Sequence, residues 1–243
     1  GKPVLRVARR MKPRFVGRLG LADAVTVANA ALGFAAAVAE TVDVELAARL
    51  LLLASIADAL DGVVARRRGG TAVGPYLDSL ADVGSFGVTP ALVVVMAVAE
   101  VWGLATPRGA VAVVGGALFV ATAVTRLGLY TAYDSDAADT EGVQTTPAAT
   151  ILGATVLAGF TAPVVLVPLT YLLAGLMLAP ITYPDLHAQD AAVMGIVQAA
   201  AIALGGRMGR QLVGSIGRGF AFGLLFLSLS YLFLGPRFYW RRD

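Results

Sequence analysis

D-A-L-D-G-V-V-A-R-R-R-G-G-T-A-V-G-P-Y-L-D-S-L-A-D, running from Asp58 to Asp82, is the stretch on which the reading of this chain turns. Its spacing is D-x₂-D-G-x₂-A-R-x₇-G-x₃-D-x₃-D. Asp58 and Asp61 are three apart and Asp78 and Asp82 four apart, so each pair occupies one face of a helix. Two helices joined by a short basic loop can point all four carboxylates at one volume. Four such charges alone would repel one another, and one or two hard divalent cations would relieve the repulsion. An all-oxygen ligand set suits Mg²⁺ or Mn²⁺. Two such ions would clamp a diphosphate and stabilise both its entering and leaving oxygens. Gly62, Ala65 and Gly74 remove side-chain bulk where a nucleotide would approach, and Arg66 offers a bidentate fork for phosphate. Arg67 and Arg68 read as topology or headgroup contacts. Eight such positions would recur by chance with an expectation on the order of 10⁻⁸ at average composition, so the spacing is a signal.

The surroundings decide the fold class. The chain has 243 residues, 58% of them hydrophobic and only 14% charged, and its mean hydropathy is +0.77. Soluble domains carry about a quarter charged residues. The expectation is an all-α polytopic membrane protein, because lipid-exposed backbone must satisfy its own hydrogen bonds. Acidic side chains inside such spans are expensive and point to function. There is no cysteine, and His187 is the only histidine, so thiolate, histidine-zinc and triad chemistry are excluded or disfavoured. Nothing points to nucleic acid.

A span needs about 20 apolar residues. Candidate spans are roughly 23–40, 45–66, 82–102, 109–131, 147–161, 163–182, 190–206 and 219–235. Eight transmembrane helices are expected, with six or seven as the alternatives, since Pro163 and Pro168 interrupt a long apolar stretch. Residues 1–20 read as a basic interfacial helix, with Val4, Val7, Met11 and Phe15 at helical spacing among Arg6, Arg9, Arg10, Lys12 and Arg14. The other reading is an ordinary basic cluster that sets topology. No cleavable-signal layout is visible in it. Residues 21–243 then form one transmembrane catalytic domain. Basic residues place the N-terminus, the Arg66–Arg68 loop and the C-terminal R-F-Y-W-R-R on the cytoplasmic side. The expected location is the cytoplasmic membrane, with the carboxylates facing the cytoplasm. Arg207, Arg210 and Arg218 run against that trend in an eight-span arrangement.

The eight positions Asp58, Asp61, Gly62, Ala65, Arg66, Gly74, Asp78 and Asp82 resemble the signature of the CDP-alcohol phosphotransferase family. The resemblance implies transfer of a phosphatidyl-type group from a CDP-linked donor to a hydroxyl, with release of CMP. It implies that Asp58, Asp61, Asp78 and Asp82 hold two Mg²⁺ or Mn²⁺ ions, that Asp82 is the general base, and that Gly62, Ala65, Arg66 and Gly74 line the CDP pocket. Thr26 and Asn29 occupy the first-span place where the family carries polar residues near the nucleotide; a polar helix–helix contact is the alternative. The extension D-S-L-A-D-V-G-S-F-G-V-T-P, from Asp78 to Pro90, is similar to the phosphatidylserine synthase branch. T-R-L-G-L-Y at Thr125 to Tyr130, T-T-P-A-A after it, and M-L-A-P-I-T-Y-P-D ending at Asp185 are looser echoes. G-V-Q-T-T-P stands where the family has G-L-P, so the resemblance does not by itself carry that loop's acceptor-pocket roles over to this chain.

The partners implied are a CDP-lipid, L-serine and membrane lipids, and the resemblance allows a homodimer. Arginine-rich composition leans towards CDP-archaeol, with CDP-diacylglycerol open. Ser85 reads as an acceptor-pocket hydroxyl or a packing residue. Arg126 reads as an anion-binding group for substrate phosphate or serine carboxylate, or as a snorkelling helix-end arginine. His187 and the acidic residues Asp134, Asp136, Asp139 and Glu141 read as solvated loop positions. Two alternatives stand beside serine transfer: another alcohol acceptor such as inositol phosphate or glycerol phosphate, and a divalent-metal transporter. The S-F-G-x-x-P extension argues against the first. The clustering of all four acids in one half argues against the second.

Overall fold

The computed structural model describes residues 17–134, 139–184, 186–205 and 214–239. The expected interfacial helix over 1–20 lies almost wholly outside the described residues, as do Arg207 and Arg210. The chain is built from helices α1 (Leu21–Ala39), α2 (Val44–Arg68), α3 (Gly74–Asp82), α4 (Thr89–Trp102), α5 (Pro107–Leu129), α6 (Thr145–Leu157), α7 (Pro163–Met177), α8 (Ala188–Leu204) and α9 (Ile216–Phe238). A π-helical turn, Val83–Val88, joins α3 to α4 without a break, and a second one, Tyr130–Asp134, extends α5.

Local chemistry sets the ends. Asp43 caps α2 by accepting from the backbone N–H groups of Glu45 and Leu46. The helix stops at Gly69, whose φ of 86° suits glycine. Thr106 caps α5 at the Gly109 N–H, with Pro107 at the first helical position.

Helical segments occupy all eight expected places. Four of them are long and apolar enough to cross a membrane, Leu21–Ala39, Gly74–Trp102, Pro107–Tyr133 and Ile216–Phe238. The structure therefore supports an all-α membrane protein, while the full count of eight spans goes beyond it. The 25-residue α2 carries Glu45, Arg49, Asp58, Asp61 and Arg66–Arg68. The 13 residues of α6 rise about 20 Å, short of the hydrocarbon core's roughly 30 Å. The expected span 147–161 ends early because the chain turns at Gly159, with φ of 92°, before Pro163 opens α7. A two-stranded antiparallel ribbon, β1 (Asp139–Glu141) with β2 (Thr182–Pro184), is a small addition to the all-α expectation.

Polar contacts knit the bundle. Arg49 Nε donates to the Ile202 carbonyl at 2.7 Å, and Gln198 Nε2 donates to the Leu52 carbonyl at 2.7 Å and to Ser55 Oγ. These tie α8 to α2. A buried layer of Ala36, Leu51, Ala54, Phe86 and Ala149 joins α1, α2, the first π turn and α6. That layer is the floor of the site.

Candidate active site

The four aspartates meet at the end of the bundle that carries Arg66–Arg68. One carboxylate oxygen from each of Asp58, Asp61 and Asp78 lies within 4.8 Å of the other two. Asp82 is buried beside them, with Asp58, Asp78 and Asp61 as its charged neighbours. The spacing of three on α2 and four on α3 thus does what helical geometry predicts. An all-carboxylate oxygen set of this size fits a hard divalent cation.

The first π turn begins directly after Asp82. Such turns interrupt regular helices at functional sites. Here Thr89 Oγ1 donates to the Gly84 and Gly33 carbonyls at 2.9 and 3.0 Å, holding the widened turn against α1. Gly33 permits the approach: a Cβ there would sit 2.7 Å from Ser85 Cα.

Uncharged donors orient the carboxylates. Thr26 Oγ1 donates to Asp61 Oδ2 at 2.6 Å, Asn29 Nδ2 to Asp82 Oδ1 at 3.3 Å, and Thr146 Oγ1 to Asp58 Oδ2 at 3.2 Å. Thr26 and Asn29 therefore touch the acidic centre, where the sequence suggested nucleotide or helix contacts. Thr146, from the T-T-P segment, was not singled out in the sequence. Its only signal is a hydroxyl at a helix start. Asp23 was missed as well. It is 2% exposed, accepts from Gly20 N at 2.6 Å and from Thr71 Oγ1 at 2.9 and 3.0 Å, and so ties α1 to the α2–α3 loop.

Gly62 lies under the Arg66 guanidinium: a Cβ there would be 3.3 Å from Arg66 Nη1. Gly74 faces Asp23, at 3.4 Å from the corresponding Cβ position to Oδ1. Ala65 is half-buried. Ser85 is buried and donates to the Asn29 carbonyl at 3.0 Å, a helix-packing contact.

Arg126 is buried elsewhere. Ser79 pairs with Thr131, and Gly87 faces the Ala123 methyl, so Arg126 lies at the depth of Asp82 to Gly84. Its Nη2 nevertheless donates to Thr140 Oγ1 at 2.8 Å, and its guanidinium carbon is 5.8 Å from the Tyr130 ring centre. It lines a cavity of about 120 Å³ with Thr140, Glu141 and Met177. His187, which precedes α8, is 3.7 Å from Asp190 in that helix's first turn, and its backbone N–H donates to the Tyr239 hydroxyl.

The apolar spans, the shared-face aspartates and the small residues around them define a membrane-embedded transferase acting on phosphate esters. Residues 19–204 match the CDP-alcohol phosphatidyltransferase family, and the chain belongs to that family. It is an integral membrane enzyme of phospholipid biosynthesis, transferring a phospholipid head group. Among its relatives is the archaetidylserine synthase of Methanothermobacter thermautotrophicus, 29% identical over 178 residues that cover 71% of this chain and 73% of the relative.

Proposed function

We propose that the enzyme transfers the phosphatidyl or archaetidyl group of a CDP-lipid to the hydroxyl of L-serine. The observation that carries the reading is the convergence of Asp58, Asp61 and Asp78, with Asp82 beside them, directly before the S-F-G-V-T-P extension. The archaetidylserine synthase among the relatives supports serine and an archaeol tail.

In this reaction the serine oxygen forms a bond to the β-phosphorus, the bond from that phosphorus to the CMP oxygen breaks, and CMP leaves. The hydroxyl proton passes to Asp82. When bound, Mg²⁺ or Mn²⁺ on Asp58, Asp61, Asp78 and Asp82 neutralises the diphosphate and stabilises its entering and leaving oxygens. Thr26, Asn29 and Thr146 fix the rotamers of three carboxylates, a pre-organisation that costs nothing at the moment of reaction. Gly62, Ala65, Arg66 and Gly74 form the CDP approach, with the guanidinium of Arg66 over Gly62 available to phosphate. The site opens to the cytoplasm of the plasma membrane, the side the Arg66–Arg68 loop and the basic first twenty residues favour.

The test is CMP release by the purified enzyme with CDP-archaeol and CDP-diacylglycerol, each offered serine, inositol phosphate or glycerol phosphate. Serine-dependent release with one donor supports the reading. Release driven by a phosphorylated alcohol and not by serine would overturn the acceptor, and metal flux in proteoliposomes without CMP release would overturn the chemistry.

A further inference from the structure

Two polar atoms on the helices that surround the acidic centre are buried and have no hydrogen-bond partner among the described residues: Asn29 Oδ1 and Thr145 Oγ1. Asn29 is 0% exposed and Thr145 1% exposed. Such a group costs stability unless something meets it, and each one calls for an explanation. The Asn29 amide cannot simply be turned over, because its NH₂ already faces the Asp82 carboxylate at 3.3 Å.

Packing puts Thr145 at the level of the same centre. Ala149 packs in one layer with Ala54 and Phe86. One turn nearer the Arg66–Arg68 end, these three elements carry Thr145, Asp58 and Asp82. The adjacent Thr146 donates to Asp58, which fixes the start of α6 beside the carboxylates. A threonine inside a helix ordinarily gives its proton to the carbonyl one turn earlier, as Thr155 gives to Ile151 and Thr170 to Leu166. Thr145 is the first residue of α6, so no helical carbonyl precedes it by a turn.

An unpaired acceptor on the residue that touches Asp82 and an unpaired hydroxyl at the same level, both buried, suit the surroundings of an alcohol. We infer that Asn29 and Thr145 complete the seat of the attacking alcohol. Thr145 Oγ1 donates to the alcohol oxygen, and the alcohol hydrogen is directed to the Asn29–Asp82 pair, from which Asp82 takes the proton as the oxygen–phosphorus bond forms. Burial of both atoms keeps out water, the competing nucleophile. The inference rests on the transferase reading above and assigns the acceptor hydroxyl to residues outside the eight-position motif.

Thr145→Val and Thr145→Ser test it, with CMP release measured against serine and against CDP-lipid, Mn²⁺ affinity by electron paramagnetic resonance, and melting temperature. Valine should raise the serine KM about tenfold, the loss of one buried hydrogen bond. It should leave the CDP-lipid KM and Mn²⁺ affinity unchanged and should not lower the melting temperature, since it removes an unsatisfied hydroxyl without changing shape. Serine should restore the KM. An unchanged serine KM, a valine variant that fails to fold, or a loss confined to CDP-lipid or Mn²⁺ affinity overturns the seat. If wild-type enzyme uses a different alcohol, the same KM split is read on that alcohol. The named acceptor then falls while a tenfold rise still supports the seat. A wild-type enzyme that releases CMP with no alcohol sinks both.

Discussion

At the residue scale the site is a set of carboxylates whose neighbours set their orientation. Asp82 accepts from the Asn29 amide on one oxygen and shares a side-chain hydrogen bond with Asp58, so both neighbours orient it. Asp82→Asn should lower CMP release by about 10²- to 10⁴-fold, the span typical of a lost general base, and full activity in that assay would remove Asp82 from its role. Thr26 contributes through Asp61, to which it donates at 2.6 Å. Thr26→Val should weaken Mn²⁺ binding about tenfold, as loss of a group that orients a metal ligand does, and Thr26→Ser should retain it. A titration of Mn²⁺ binding separates the two outcomes. The aspartates were legible in the sequence because helical periodicity alone puts three-apart and four-apart residues on one face. Their donors were not: Thr26, Asn29 and Thr146 lie 35, 53 and 88 positions from the carboxylates they touch, and a hydroxyl's partner is a property of packing. Asp23 was hidden for the same reason, its partner Thr71 being 48 positions away.

At the element scale the closest tolerance is between α1 and the first π turn. Gly33→Ala would press a methyl to 2.7 Å from Ser85 Cα, backbone that cannot swing aside, and should cost about 1–3 kcal/mol. Gly128→Ala on α5, where nothing lies within 4 Å, should instead stabilise by about 0.5–1 kcal/mol because alanine loses less entropy in a helix. Thermal unfolding of the pair in one detergent checks both signs. The far end of α1 carries a different liability. Glu40 is buried where the helix stops; burial raises its pKa, and Glu100 nearby raises it further. A carboxyl with a raised folded pKa favours the folded state while protonated and loses that contribution as pH rises through it. Glu40→Gln should therefore raise the melting temperature at neutral pH, with the gain shrinking as pH falls into the carboxylate range. A gain independent of pH would assign the effect to shape. The helices themselves were readable from apolar run length. The π turn and the β1–β2 ribbon were not, since the first depends on Thr89 reaching Gly33 across helices and the second on three residue pairs over 40 positions apart.

At the scale of the whole molecule, folding gathers four like charges that no cation side chain among the described contacts neutralises at the centre. Helices from separate parts of the chain, α1, α2, α3 and α6, must close around that charge before the site exists. A divalent ion that binds only the folded arrangement stabilises it by mass action, about 2.7 kcal/mol at a hundredfold excess over Kd. Mn²⁺ or Mg²⁺ should therefore raise the melting temperature of the purified enzyme, and EDTA should lower it while abolishing CMP release. The same rise should be much reduced in Asp61→Asn, whose carboxylate lies within 4.8 Å of those of Asp58 and Asp78. It should persist in Thr145→Val, since the proposed seat gives that hydroxyl to the acceptor and not to the ions. Salt of matched ionic strength without a divalent ion distinguishes binding from screening, because screening weakens repulsion for any electrolyte. A melting temperature that follows ionic strength alone would show that the aspartates tolerate one another unaided.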